Sequence, residues 1–176
     1  MLSDDGKHLY VSGEEYDELV ERLVCKVATS GWHFDSVLCL ARGGLRVGDI
    51  FSRVFGVPLA IMTTSSYRAE RGTQQGELEI AERVTSARGG MTGRVLLTDD
   101  LADTGHTMHA VVQRLRECWP AITELRTAVL WVKASSGFSP DYCAEHLPTS
   151  PWIHQPFERY DGSSPEKLLA KWKGKF

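Results

Sequence analysis

The sequence predicts an α/β fold, a doubly wound parallel sheet with helices on both faces, and three observations predict it. Short aliphatic runs at 36–40, 59–63, 95–97 and 125–132 are bounded by polar or glycine-rich turns, as suits strands buried on both faces. Between them lie segments with helical apolar periodicity at 16–27, 45–55 and 108–115. Chemically versatile residues, Arg42, Ser65, Asp99 and Lys133, fall just past the C-terminal ends of four of these runs. In open α/β sheets that edge is where ligands bind.

With 176 residues, 42% hydrophobic and 24% charged, the chain reads as a single domain spanning 1–176 with a sizeable core. A net charge of −3 gives no electrostatic case for nucleic acid or a membrane surface as partner. Cys25, Cys39, Cys118 and Cys143 include no C-x-x-C pair. The first three sit in apolar patterns and read as reduced core thiols of a reducing compartment. Neither a membrane span nor a signal-peptide apolar region is visible, so the expected location is cytoplasmic.

Taken in order, 1–11 is a polar arm with a short strand at its end. Ser12-Gly-Glu-Glu15 reads as a capping box that opens a helix with Tyr16, Leu19, Val20, Leu23, Val24 and Val27 on one face. After the strand at 36–40, Arg42-Gly43-Gly44 opens a helix ended by Gly56 and Pro58. A basic residue and two glycines at such a turn allow close backbone approach to an anion. The strand at 59–63 leads into Thr64-Ser65-Ser66-Tyr67, then a polar loop at 68–76 and a hairpin arm running to 84. Gly89 to Gly93 forms a turn before the central strand. Residues 134–150 read as loop with a short strand around Tyr142-Cys143, and 164–176 as a short basic helix bearing Leu168, Leu169 and Trp172.

The segment 94–108 organises the rest. Val95, Leu96 and Leu97 run into Asp99 and Asp100, then the turn 102–105, then a helix with Met108, Val111, Val112 and Leu115 on one face. Open N–H groups at the turn and helix start attract phosphate, helped by the helix dipole. The adjacent carboxylates suit sugar hydroxyls or a divalent cation instead. A ligand with a phosphate and a hydroxylated sugar, together with Mg²⁺, satisfies both halves. His106 and His109 form an H-x-x-H pair at the helix start, but no third ligand is evident and both read as exposed or capping.

Val-Leu-Leu-Thr-Asp-Asp-Leu-Ala-Asp-Thr-Gly-His-Thr, residues 95–107, resembles the phosphoribosyl-pyrophosphate (PRPP) signature of type I phosphoribosyltransferases. Further matches are Ala-Arg-Gly-Gly at 41–44, Ser-Ser-Tyr at 65–67 and Lys133. Trp-Ile-His-Gln-Pro-Phe-Glu at 152–158 is similar to the base-covering segment of the xanthine–guanine members. The resemblance implies that fold, with a flexible hood over 64–93 and a base-covering segment and tail at 151–176. It implies transfer of 5-phosphoribosyl from PRPP to guanine, xanthine or hypoxanthine in purine salvage, Mg²⁺ as cofactor, and a homo-oligomer, dimer or tetramer.

By the same resemblance Arg42 and Gly43 bind pyrophosphate, and Ser65, Ser66 and Tyr67 open the hood. Asp99 and Asp100 hold the ribose hydroxyls and the metal. Asp103, Thr104, Gly105, His106 and Thr107 clamp the 5′-phosphate, with Asp103 also the general base. Lys133, Trp152 and Ile153 meet the purine. An ammonium only donates, so Lys133 favours a carbonyl at C6 over an amino group. The chain departs from the family at Ala41, in place of a serine, and at His106, in place of a glycine. Its hood is longer, with Gly76 where relatives carry an arginine that Arg68 or Arg71 could replace. A PRPP- or nucleotide-sensing regulator without activity is the competing reading; it lacks the basic face such a protein needs.

Overall fold

The computed structural model describes residues 1–68, 75–81, 83–86 and 91–175. Arg71, most of the expected polar loop, and Gly89 and Gly90 of the expected turn lie outside the described residues. The chain forms two compact units, one of residues 19–150 and one of the two ends, 1–18 with 151–176.

The larger unit holds the sheet. Strands β2 (Ser36–Ala41), β3 (Leu59–Arg68), β4 (Gln75–Ile80), β6 (Gly93–Ala102), β7 (Ile122–Val132) and β8 (Tyr142–His146) lie in the order β4-β3-β2-β6-β7-β8. Short β5 (Thr85–Ser86) pairs with β3. The pairs β3–β2, β2–β6, β6–β7 and β7–β8 are parallel; β4 and β5 meet β3 antiparallel. The central strands are buried along continuous runs, Val37–Leu40 and Val95–Thr98 at 1% exposure or less. Strands covered on both faces need no polar alternation.

Helices α2 (Gly44–Phe55) and α3 (His106–Cys118) provide that cover on opposite faces. Met108, Val111 and Leu115 of α3 share a core with Leu38, Leu40, Val95, Leu97 and Val129. A Cβ on Gly48 of α2 would meet Cys39 and Leu59 instead, and Cys39 points away from Leu38 and Leu40. The doubly wound sheet is therefore present. Helix α1 (Gly13–Thr29) buries Leu19, Val20, Leu23, Val24 and Val27. Cys25 falls off that stripe, and it and Cys118 are exposed, so only Cys39 and Cys143 are core thiols; all four are free.

In the terminal unit, β1 (His8–Tyr10) pairs in parallel with β9 (Trp152–His154). Helix α4 (Pro165–Trp172) is capped by Ser164 and leaves Leu168, Leu169 and Trp172 exposed. Among the described residues no helix is long and apolar enough to cross a membrane.

Two strand boundaries are also corrected. Arg68 and residues 75–76 belong to β3 and β4 rather than a loop, because β3 continues past Thr63 by pairing with β4 (Ser65↔Glu79, Ser66↔Leu78). Asp99 and Asp100 lie inside β6, not beyond it, because pairing with β7 continues to Ala102↔Val132.

Candidate functional site

The topology opens a crevice at one place. From β2 the chain crosses to β3 on one side and then returns to β6 on the other, so the switch point lies between β2 and β6. Their pairing ends at Cys39↔Thr98. Beyond it β2 turns off into Arg42-Gly43-Gly44 while β6 runs on beside β7, leaving Asp99 and Asp100 at the split.

The two glycines are what let the turn close on the acids. A Cβ on Gly43 would overlap the Asp100 carboxylate, and one on Gly44 would lie 2.6 Å from the Thr98 carbonyl oxygen. The Ala41–Arg42 peptide is cis, and Arg42 is exposed. Burial, and then the neighbouring Asp100, holds the Asp99 carboxyl well above the usual carboxylate range, against bonds from the Asp100 and Gly44 backbone. A crowded carboxylate pair of this kind is relieved by a cation. Two hard oxygen donors fit Mg²⁺, which completes its shell with water and ligand phosphates.

The turn after β6 is built for an anion. The carbonyls of Ala102, Asp103 and Thr104 are taken in succession by Lys133 N–H (3.2 Å), Ser135 Oγ (3.3 Å) and Gly137 N–H (3.0 Å). Within each planar peptide the N–H opposes the C=O. The N–H groups of Asp103, Thr104 and Gly105 are thereby aimed the other way, and among the described residues none of them donates a hydrogen bond. Such a row of N–H groups is an anion nest. Gly105, at φ +84°, turns the chain into α3, and its bare Cα fits against Phe138, where a Cβ would come within 2.5 Å.

At the rim Lys133 Nζ lies 3.1 Å from Asp103 Oδ1, the lysine 7% exposed and the aspartate 52%. Arg42, Gly43, Asp99, Asp100, the turn 103–107 and Lys133 thus occupy one edge of one sheet. Ser65, Ser66 and Tyr67 are strand residues of β3, continuing beyond the register point Ala41↔Thr63. Trp152, 48% exposed, and buried Ile153 belong to β9 of the terminal unit. His109 donates from Nε2 to the Gly137 carbonyl at 3.2 Å, and among the described residues no cluster of three metal-ligating side chains occurs. Sequence reasoning missed Ser135, Gly137 and Phe138. The spacing from Lys133 to Gly137 was the only signal, and it has no period.

A parallel sheet with an anion nest and an acid pair at its switch point defines a protein built for a phosphorylated, hydroxylated ligand. The chain belongs to the phosphoribosyl transferase domain family, whose model matches residues 12–161, and is thus a glycosyltransferase-type enzyme. It is 25% identical over 155 residues to a xanthine-guanine phosphoribosyltransferase of Idiomarina loihiensis, covering 88% of this chain and 89% of that one. A purine phosphoribosyltransferase from Pyrococcus horikoshii superposes with a TM-score of 0.70 at 24% identity, over 86% and 93% of the chains. A Helicobacter pylori xanthine-guanine-hypoxanthine phosphoribosyltransferase gives 0.68 at 23%, over 84% and 91%.

Proposed function

We propose that the protein transfers the 5-phosphoribosyl group of PRPP to a 6-oxopurine, guanine, xanthine or hypoxanthine, releasing pyrophosphate and a nucleoside 5′-monophosphate. The observation that carries this reading is the nest of three N–H groups beside the acid pair, with a buried ammonium at its rim. The names of the purine-using relatives support the same base class.

The C1′–oxygen bond to pyrophosphate breaks as the C1′–nitrogen bond to the base forms, and positive charge builds on the ribose. Catalysis is then mainly positioning and electrostatics. The nest and Thr107 hold the 5′-phosphate, and His106 adds its backbone N–H. Asp99 and Asp100 take the ribose hydroxyls, while Arg42 and Gly43 face the leaving pyrophosphate beside the start of the hood at Ser65, Ser66 and Tyr67. Asp100 and Asp99 would hold Mg²⁺, which would supply charge neutralisation for that leaving group. Asp103 accepts the proton that the base loses. Lys133 keeps its bond to Asp103 and has further donors for a C6 oxygen. Trp152 and Ile153 are assigned to the base on their motif alone. A homodimer or tetramer acting in the cytoplasm belongs to the same reading.

The test is a panel of bases incubated with PRPP and Mg²⁺. Nucleotide should form with 6-oxopurines and not with adenine or orotate. Product from orotate alone, or from no base, contradicts the proposal.

A further inference from the structure

A nest works only while its peptides keep their orientation, and one support of this one is a glycine. Gly137 donates its N–H to the Thr104 carbonyl at 3.0 Å. No side chain of its own restrains it, and glycine has the widest backbone freedom of any residue. Its carbonyl is held from outside: His109 Nε2 donates to it at 3.2 Å. The His109 ring also stands edge-on to Phe138, centroids 4.9 Å apart at 83°, and Phe138 is the residue that closes on Gly105. His109 in turn is fixed to the turn through the helix, its N–H donating to the Gly105 carbonyl at 3.0 Å. Thr104, Gly105, α3, His109 and Gly137 thus form a closed ring of contacts around the nest.

We infer that His109 is a positioning residue of the phosphate turn, holding Gly137 so that the Thr104–Gly105 peptide presents its N–H to the 5′-phosphate of PRPP. The inference rests on the PRPP reading above. It also gives His109 of the H-x-x-H pair a role without a metal, since its donor nitrogen is engaged by Gly137. His109 acts through Gly137 and is not expected to touch the substrate.

The test compares the parent, His109→Leu and His109→Gln by steady-state kinetics with PRPP, Mg²⁺ and guanine, alongside thermal unfolding. Leucine fills space without a donor; the glutamine amide nitrogen lies as many bonds from Cα as Nε2. Loss of one neutral hydrogen bond should raise KM for PRPP about three- to tenfold in His109→Leu, with kcat and KM for guanine within about twofold. His109→Gln should return KM for PRPP to within about twofold of the parent. Should His109→Leu fail to fold, His109→Asn, whose amide falls short of Gly137, replaces it in the same comparison. Unchanged KM for PRPP, or an equal rise in both KM values with no rescue by glutamine, overturns the inference while parent turnover leaves the PRPP reading standing. A parent that neither turns over PRPP nor binds it by calorimetry overturns both.

Discussion

Helices α1 and α4 are capped by the side chains of their own N-cap serines, whereas α2 and α3 have glycine N-caps. At α2 the Asp99 carboxyl takes a bond from the Gly44 backbone, and at α3 the His106 N–H makes only a long bond of 3.4 Å to Thr104 Oγ1. At α1 the Ser12 N–H donates to the Glu15 carboxylate at 2.7 Å and the Glu15 N–H to Ser12 Oγ at 3.2 Å. At α4 Ser164 accepts from the Lys167 N–H, with Pro165 and Glu166 in the first turn. Helices α2 and α3 begin after Gly43 and Gly105, with no side-chain cap and no acid in the first turn. A missing cap costs about 0.5–2 kcal/mol. These two ends are the two that follow β2 and β6 at the switch point, on either side of Asp99 and Asp100. Under the proposed function, the two helices without a capping side chain are the two that face the phosphate groups of PRPP.

The sharpest break in that contrast is chemical. Asp103→Asn leaves the nest and both helix ends intact but removes the proton acceptor, so kcat should fall by about 10² to 10⁴. KM for PRPP should change little. Turnover within a few-fold of the parent removes Asp103 from the chemistry.

A smaller effect comes from charging one of these ends. Thr107→Glu places an acid in the first turn of α3, where it should stabilise the protein by about 0.3–1 kcal/mol through the dipole. The same charge opposes the incoming phosphate and should weaken PRPP binding at least tenfold, about 1.4 kcal/mol. The control is Ser12→Ala, which should lower stability by about 0.5–2 kcal/mol and leave kcat/KM untouched. If Thr107→Glu bound PRPP as well as the parent, the end of α3 would not be a phosphate site.

Smaller still is the cost of the acid pair itself. Asp99 has its folded pKa raised by burial and by Asp100, so the folded state resists its ionisation. Its destabilising contribution is absent below the unfolded value of about 4 and grows as pH rises toward the raised folded value. Without Mg²⁺, Asp99→Asn should therefore melt higher than the parent at pH 7 and equal to it near pH 3. A lower melting temperature for Asp99→Asn at pH 7 contradicts the assignment of strain to this pair.

Much of this was legible in the sequence because the signals were local. The run Val95–Leu97, the two acids and Asp-Thr-Gly fixed a strand, a turn and a helix start within thirteen residues. The Ser12 capping box lay within four and is present in the structure. The support of the turn was not legible, because Ser135 and Gly137 act on residues some thirty positions earlier through backbone carbonyls, and Phe138 acts by packing on Gly105. No residue type advertises that. The ends of β3 and β6 were misplaced for the same reason. A strand continues as long as a partner pairs with it, and the partners β4 and β7 are set by topology rather than by the strand's own residues.

The central claim is that one turn holds phosphate while a lysine at its rim selects the base, and Lys133→Met tests it most directly. The side chain keeps its apolar stem and loses its charge. A charge-assisted hydrogen bond is worth about 1.5–3 kcal/mol. The kcat/KM for guanine, hypoxanthine and xanthine should therefore fall about ten- to 150-fold, with KM for PRPP unchanged and adenine rejected less strongly. Unchanged kinetics for all three 6-oxopurines, or a loss of PRPP binding equal to the loss in base kinetics, would contradict the division of labour between nest and lysine.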